Sequence, residues 1–388
     1  MTTPGTIILG NEYQALGLLR LLSMSGIQCI LVDQDPWGPA LFSRFRCPFY
    51  HSPHYASEQF WPWLVNLAQQ HDYLGWVVIP TDDEQVRQLA EHFSEAVTLF
   101  RFVGLPWSDY RYIYDKRLAF QWIKQLDLPA PQTYIPLRRD DLPYDGLPLP
   151  AIVKPAVKRT FSRYSNKKAI PFESINHLKR LLEEDLKSVP IEELLYQEII
   201  PGDGKNQWSY AGFFVEGEPK AAFTACRRRQ HPPDFGRAST YVIAIHDEEV
   251  ERLSCELLLS LKYTGLAEIE WKRDPRDGQL KFLEMNARCW GWHSLSSRVV
   301  GNIPKMFYDY LLYSKAETVQ PHYGSRWVKW ITDIPVAFDL MKRGELGFKE
   351  YIRSVLSNTI SCEWEITDPF PFFLQFALLP YLIMKRGY

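Results

Sequence analysis

Two neighbouring segments carry the residues most suited to chemistry. In Leu266–Trp271, Glu268 and Glu270 fall on one side of an extended chain, with Ala267 and Ile269 on the other. In Leu280–Asn286, Phe282, Glu284 and Asn286 share a side, with Leu283 and Met285 opposite. A hairpin centred near Asp277 sets Glu270 opposite Glu284 and Glu268 opposite Asn286. Like charges directly opposite on paired strands repel. A hard divalent cation removes that repulsion, because Mg²⁺ takes oxygen ligands from one or two carboxylates together with substrate phosphates. The competing reading is a solvated acidic face that keeps an edge hairpin soluble. Asn286 and the following Arg288 favour the metal.

Other candidates stand at the ends of predicted elements. Lys116 lies near the start of a helix expected from Asp115 to about Gln125, where the helix dipole disfavours a cation unless an anion is close. Lys154 ends the apolar strand Pro150–Lys154, so its stem can be buried while its ammonium meets a phosphate. Arg227, Arg228 and Arg229 follow the apolar stretch Ala221–Cys226. Alternation sends Arg227 and Arg229 to one face, a fork for a carboxylate or phosphate, and Arg228 to the other. The loop after them, through Gln230-His231-Pro232-Pro233-Asp234-Phe235-Gly236, reads as fixed by its prolines and glycine. No protein nucleophile is signalled. Cys289 and His293 read as a packed thiol and a structural imidazole.

The first hundred residues must hold these groups against a parallel sheet. Thr6–Leu9, Gln28–Val32 and Trp76–Ile79 read as strands, with helices from Asn11, the expected cap, and from about Glu84 to His92. This βαβ rhythm places ligand-facing loops at strand C-termini. Gly10 and Asp33 imitate parts of a dinucleotide fingerprint. Gly10-Asn11-Glu12-Tyr13-Gln14-Ala15 lacks its second and third glycines, which argues against that use.

Composition bounds the rest. The 388 residues carry a net charge of −2, too balanced for a general nucleic-acid binder. Hydrophobic residues make up 46%, which excludes extensive disorder. Six scattered cysteines without a C-x-x-C pair indicate neither zinc nor a disulfide framework, and a reducing cytoplasm fits. No signal peptide and no membrane span are expected.

The run Gly265-Leu266-Ala267-Glu268-Ile269-Glu270-Trp271, followed by Phe282-Leu283-Glu284-Met285-Asn286-Ala287-Arg288, resembles the Mg²⁺-binding motif of the ATP-grasp superfamily. Within it, the chain is most similar to predicted ATP-dependent carboligases and D-aspartate-ligase-like carboxylate–amine ligases. The resemblance runs from the first strand to about Gly301, and more weakly beyond. It implies an α/β protein, α+β in its ATP-grasp part: an N-terminal Rossmann-like parallel sheet, then a two-subdomain ATP-grasp fold. The implied division is 1–110 Rossmann-like, 111–190 small lid subdomain, 191–321 large subdomain with the metal hairpin, and 322–388 a helical and aromatic C-terminal extension.

By the same resemblance, Glu270, Glu284 and Asn286 hold Mg²⁺, with Mn²⁺ able to substitute. Lys116 and Lys154 contact ATP phosphates. Glu198 and the backbone of Ile200, in Tyr196-Gln197-Glu198-Ile199-Ile200-Pro201-Gly202, meet adenine, and Asp203 meets the ribose. Arg288, with Arg227 or Arg229, serves the reacting groups. The loop Lys158–Ser165 lacks the glycines of many relatives, and Glu268 stands where some carry a basic residue. The implied activity is amide formation between a small carboxylate and an amine through an acyl phosphate, releasing ADP and phosphate. A carboxylase or kinase on the same fold, or a non-catalytic ATP-binding module, are the alternatives. A homodimer is compatible with all of these. The C-terminal run from Asp368 to Met384, ending in Lys385-Arg386, reads as a helix docked on the core. Its rival is peripheral attachment to a membrane surface.

Overall fold

The structure, a computed structural model, describes residues 3–142, 146–161, 164, 169–233 and 238–386. Its first sheet is parallel, with Phe49–His51, Cys29–Asp33, Thr6–Leu9 and Val77–Pro80 as neighbours in that order. Its central strands are apolar throughout because both faces are covered. Ile7, Leu9, Ile30 and Val32 pack against Phe60, Trp61 and Leu64 on one side. Ile8 and Leu31 meet Leu18 and Leu22 of the helix Tyr13–Ser23 on the other.

Asn11 does not cap that helix. Glu12 occupies the cap position without a side-chain bond. The Asn11 amide instead donates to the Asp35 carbonyl, and its backbone N–H donates to the Asp33 carboxylate at 2.8 Å. Asp33 also accepts from the Asp35 N–H at 2.9 Å. The acid that resembled a ribose ligand therefore holds its own turn. The helix Asp83–Glu91, by contrast, has a complete capping box between Asp82 and Gln85.

A second, four-stranded antiparallel sheet has the order Thr133–Tyr134, Leu194–Glu198, Ala151–Pro155 and Ile170–Phe172. The helix Ile175–Glu183, capped by Ser174, covers it through Leu178, Leu181 and Leu182. The third sheet has seven strands: Leu280–Asn286, Gly265–Arg273, Gln207–Val215, Glu218–His231, Ala238–Ala244, Arg326–Val328 and Thr359–Ser361. Phe213, Phe223 and Trp292 share one core with Leu18 and Leu22, so the parallel sheet's helix layer and the seven-stranded sheet are packed together.

The strand holding the arginine run is longer than expected, reaching His231. Arg227 pairs with Val242 and Arg229 with the adjacent Tyr241, leaving Arg228 as the extra residue of a bulge. Adjacent partners point to opposite faces. The bulge therefore reverses the parity, and Arg227 and Arg229 do not form the expected same-face fork. Asp234, Phe235 and Gly236 of the following loop lie outside the described residues, as do Ser162, Arg163 and Ser165 of the loop after Lys154.

The C-terminal segment closes back onto the first sheet. Arg20 Nε donates to Asp368 at 2.8 Å, and its Nη2 donates to the carbonyls of Glu363 and Asp368 at 2.9 and 2.8 Å. Asp368, fully buried, also accepts from Ser43 Oγ at 2.7 Å and the Arg44 N–H at 2.8 Å. The extension is thus docked by a satisfied buried network, in which the charge is fully paired. Among the described residues, no helix is long and apolar enough to cross a membrane.

Candidate functional site

The acidic face is assembled by three adjacent strands. Glu268 pairs with Asn286 and Glu270 with Glu284, as expected, but a bulge at Leu283 then sets Phe282 opposite Trp271, in the core and not on the acids' face as alternation predicted. On the inner side, Ser209 of Gln207–Val215 lies opposite Glu270, and Ala211 opposite Glu268. Glu268 and Glu270 are only 4% and 5% exposed. A solvated edge therefore does not account for these two acids. Glu284, on the edge strand, stays partly open.

Each acid has a different set of partners. Glu268 accepts from Trp292 Nε1 at 2.8 Å, Ser209 Oγ at 3.1 Å and Asn286 Nδ2 at 3.3 Å. Glu270 accepts from Gln207 Nε2 at 2.6 Å and pairs with Arg227 Nη2 at 3.0 Å. Glu284 pairs with Lys116 Nζ at 3.2 Å, a contact joining the helix Lys116–Gln125 to the hairpin. Burial and then the neighbouring Glu270 push the Glu268 carboxyl up to about 8, against the pull of Arg227 and Arg288.

That elevated carboxyl marks a place short of positive charge. Buried carboxylate oxygens beside an Asn carbonyl are a hard-donor set, which fits Mg²⁺. Among the described residues, no three His, Cys, Asp or Glu side chains already converge on one point. Mg²⁺ does not require that, since phosphate oxygens and water complete its shell when protein supplies one or two carboxylates.

Arg288 bridges two parts of the chain. It is paired with Asp83 Oδ1 at 2.6 Å and donates to Asn286 Oδ1 at 3.0 Å. Asp83, opening the helix after the fourth parallel strand, raises the Arg288 guanidinium against the opposing effect of burial. Arg229 lies elsewhere. It forms a two-pronged pair with Asp333 at 2.8 Å on both arms and stacks 3.9 Å from the Tyr241 ring centroid. The bulge at Arg228 turned it toward the helix Trp330–Lys342, away from the acids.

The expected nucleotide contacts divide. Lys154 reaches Gln197 Oε1 at 2.6 Å from the four-stranded sheet. The Glu198 side chain is buried and occupied at both oxygens, accepting from the Gln132 N–H and Arg276 Nη2, each at 2.8 Å. It ties the strand Leu194–Glu198 to the hairpin turn rather than pointing free. The Ile200 side chain is buried, and Asp203 caps the short turn Gly204–Asn206 by accepting from the Lys205 N–H. His293 is pushed down to about 4 by burial, and burial raises the Cys289 thiol, so both are neutral near pH 7, as their packed reading required.

Gln207, Ser209, Trp292 and Asp83 were not singled out from sequence. Alternation along Gln207–Val215 puts Gln207 and Ser209 on one face, and Asp83 follows a parallel strand's C-terminal end, where ligands gather. Those were the available signals. A separate small cavity is lined by Glu12, Tyr13, Trp37, Lys329, Gln375 and Leu378. Lys329 is buried, with its ammonium 3.7 Å from the Tyr13 ring centroid, and the buried Gln375 Nε2 has no hydrogen-bond partner.

The chain is 22% identical over 298 residues to D-aspartate ligase of Enterococcus faecium (strain Aus0004), covering 73% of this chain and 70% of that protein. Its fold matches the L-amino acid ligase of Bacillus licheniformis with a TM-score of 0.60 at 16% identity, covering 83% of this chain and 76% of the other. It also matches the biotin carboxylase domain dimer of Hydrogenobacter thermophilus 2-oxoglutarate carboxylase, in complex with MgADP, ADP and bicarbonate. There the TM-score is 0.64 at 15% identity, covering 84% and 74% of the two chains. No family model matches. Its fold is that of the ATP-grasp ligases and carboxylases. The α/β class, with a parallel sheet ahead of the ATP-grasp part, is the one expected from sequence. In this fold, Lys154 and Glu198 stand on the four-stranded sheet, and Glu270, Glu284 and Asn286 on the seven-stranded one. Lys116 joins the helical layer to the latter through Glu284.

Proposed function

We propose that the chain is an ATP-dependent ligase that joins a small carboxylate to an amine through an acyl phosphate. The observation that carries this reading is the buried acid face, where Glu268 and Glu270 lack the solvent that would explain two adjacent carboxylates. The ligase relatives supply the direction: D-aspartate ligase and L-amino acid ligase point to an amino acid as one substrate.

Glu270, Glu284 and Asn286 would hold Mg²⁺, which offsets the charge of the ATP phosphates. Lys116 would exchange its bond to Glu284 for a phosphate oxygen, and Lys154 would meet phosphate from the facing sheet. A carboxylate oxygen attacks the γ-phosphorus and ADP leaves. The amine nitrogen then attacks the acyl carbon, phosphate leaves, and the amine loses a proton. Arg288, held in orientation by Asp83, stands beside Asn286 to stabilise the oxyanion of the second step. Ile200 contributes its backbone to adenine, and Asp203, on an exposed turn, faces the ribose.

Purified protein is screened with ATP, Mg²⁺ and pools of amino acids and small carboxylates, with hydroxylamine added to trap an acyl phosphate. The expected products are ADP, phosphate and a hydroxamate. AMP with pyrophosphate would replace the acyl phosphate by adenylation, and ADP without phosphate release would indicate a kinase.

A further inference from the structure

Two cations of the acid-face hairpin take no part in the proposed chemistry, and both reach residues 198–203. Along the strand Gly265–Arg273, Ala267, Ile269 and Trp271 are packed in the core. Alternation therefore puts Lys272 on the same face as Glu268 and Glu270, one repeat beyond the acids. Its neighbours across the sheet are Gln207, which donates to Glu270, and Lys281 of the edge strand. Like charges set opposite each other repel, so Lys272 needs a negative partner from a third element. The turn after the strand Leu194–Glu198 supplies it. Lys272 Nζ donates to the Gly202 carbonyl at 2.8 Å, and the Asp203 carboxylate attracts the ammonium against the effect of burial, which lowers it.

Arg276 reaches the same segment from the hairpin turn. Its neighbour Asp274 is buried and accepts from Arg276 Nε at 2.9 and 3.0 Å and from the Arg276 backbone N–H at 2.9 Å. These bonds fix the guanidinium plane, and Nη2 extends to Glu198 Oε2 at 2.8 Å. The other Glu198 oxygen accepts from the Gln132 N–H. With both oxygens filled by protein, Glu198 serves as the receiver of Arg276, and contact with a base falls to the backbone beyond it. At the far end of the segment, Gly202 sits at φ +89°, and a Cβ there would stand 2.5 Å from Asn206 Oδ1. The turn that offers its carbonyl to Lys272 is therefore a fixed one.

The two contacts bracket Ile200. Glu198 is held on one side of it and Gly202 on the other, and both holds come from the hairpin that carries Glu270 and Glu284. A charge-assisted bond at each end fixes where the segment stands relative to the acid face more narrowly than one bond would. Lys272 and Arg276 leave the acids themselves to other partners, since Glu270 is paired with Arg227 and Glu284 with Lys116. Loss of either cation therefore frees the segment around Ile200 and keeps the partners of the acids in place.

We infer that, given the ATP-using reading above, Lys272 and Arg276 are positioning residues that clasp residues 198–203 against the acid-face hairpin and so set the affinity for the nucleoside half of the nucleotide. The full chain is titrated calorimetrically with MgADP and with magnesium tripolyphosphate, which carries phosphates and no nucleoside. Wild type is compared with Arg276→Ala, Lys272→Met and the conservative Arg276→Lys, each checked for folding by circular dichroism. Arg276→Ala and Lys272→Met cut different contacts, so either one carries the test if the other does not fold. The expected result is MgADP binding weakened about tenfold or more in both, tripolyphosphate binding within about twofold of wild type, and partial recovery in Arg276→Lys. Unchanged MgADP affinity in the folded variants, or equal loss on both probes, overturns the inference and leaves the ATP-using reading standing. Wild-type protein that does not bind MgADP removes that reading, and the clasp with it.

Discussion

Replacing Arg229 by alanine should unfold the protein more easily while leaving its chemistry nearly intact. Arg229 is 5% exposed and its partner Asp333 is fully buried. Removal leaves a buried carboxylate whose hydrogen bond from Thr240 Oγ1, at 2.8 Å, does not replace the lost positive charge. Breaking a buried pair from one side costs about 3–5 kcal/mol. The stack on Tyr241 adds roughly 0.5–2 kcal/mol, part of which is already counted in that range. Replacing both members with apolar residues, Arg229→Met with Asp333→Leu, should restore most of the loss, because no charge is then stranded. Arg227→Ala should behave differently. Its partner is Glu270 on the acid face, so turnover should fall about a hundredfold or more. The assay is urea unfolding of each variant, paired with ATP turnover at a temperature where all remain folded. A stable Arg229→Ala protein with strongly reduced turnover would refute the parity argument and return Arg229 to the reacting centre.

Glu284→Gln should abolish ATP turnover with little change in the far-ultraviolet spectrum, since it keeps size but removes a charge from the proposed Mg²⁺ set. Asp83→Asn should lower kcat more than it raises KM for ATP, because it loosens Arg288 without touching nucleotide; an effect confined to KM would count against the positioning role. Glu363 is pushed up to about 7 by burial, with Lys329 pulling the other way. Its folded value exceeds its ordinary 4.5, so the stability it contributes is present below about pH 4.5 and lost as pH rises to about 7. Glu363→Gln should therefore be more stable than wild type at pH 8, by up to about 3 kcal/mol, and the gap should close by pH 4.5 in denaturant titrations.

The elements were legible where local patterning and burial agree. Thr6–Leu9, Cys29–Asp33 and Val77–Pro80 are apolar runs closed by turn residues, and a strand buried on both faces has no other pattern available. The hairpin register was legible for a related reason. Alternation placed both acid pairs, although a bulge at Leu283, between those pairs and the turn, moved Phe282 to the core side. Asn11 was misread because cap preference is a local rule, and a longer-range bond to the Asp35 loop outcompeted it.

The arginine run shows where such reasoning ends. Its parity argument is sound for an unbroken strand, and a single inserted residue reverses the conclusion for everything downstream. A bulge is a property of two strands, and nothing within Cys226–Gln230 announces that Val242 and Tyr241 will take Arg227 and Arg229 in succession. The same limit hid the partners that set the charge of the site. Arg288 takes its orientation from Asp83, 205 residues earlier, and Glu268 takes hydrogen bonds from Ser209 and Trp292 on two other segments. A sequence displays which residues can carry charge. The neighbours that decide whether Glu268 titrates near 8, or whether an arginine serves a ligand or a buried aspartate, are chosen by packing. The two buried arginines therefore divide by partner rather than by type. Arg227 meets an acid on the proposed metal face, and Arg229 meets one that anchors a C-terminal helix.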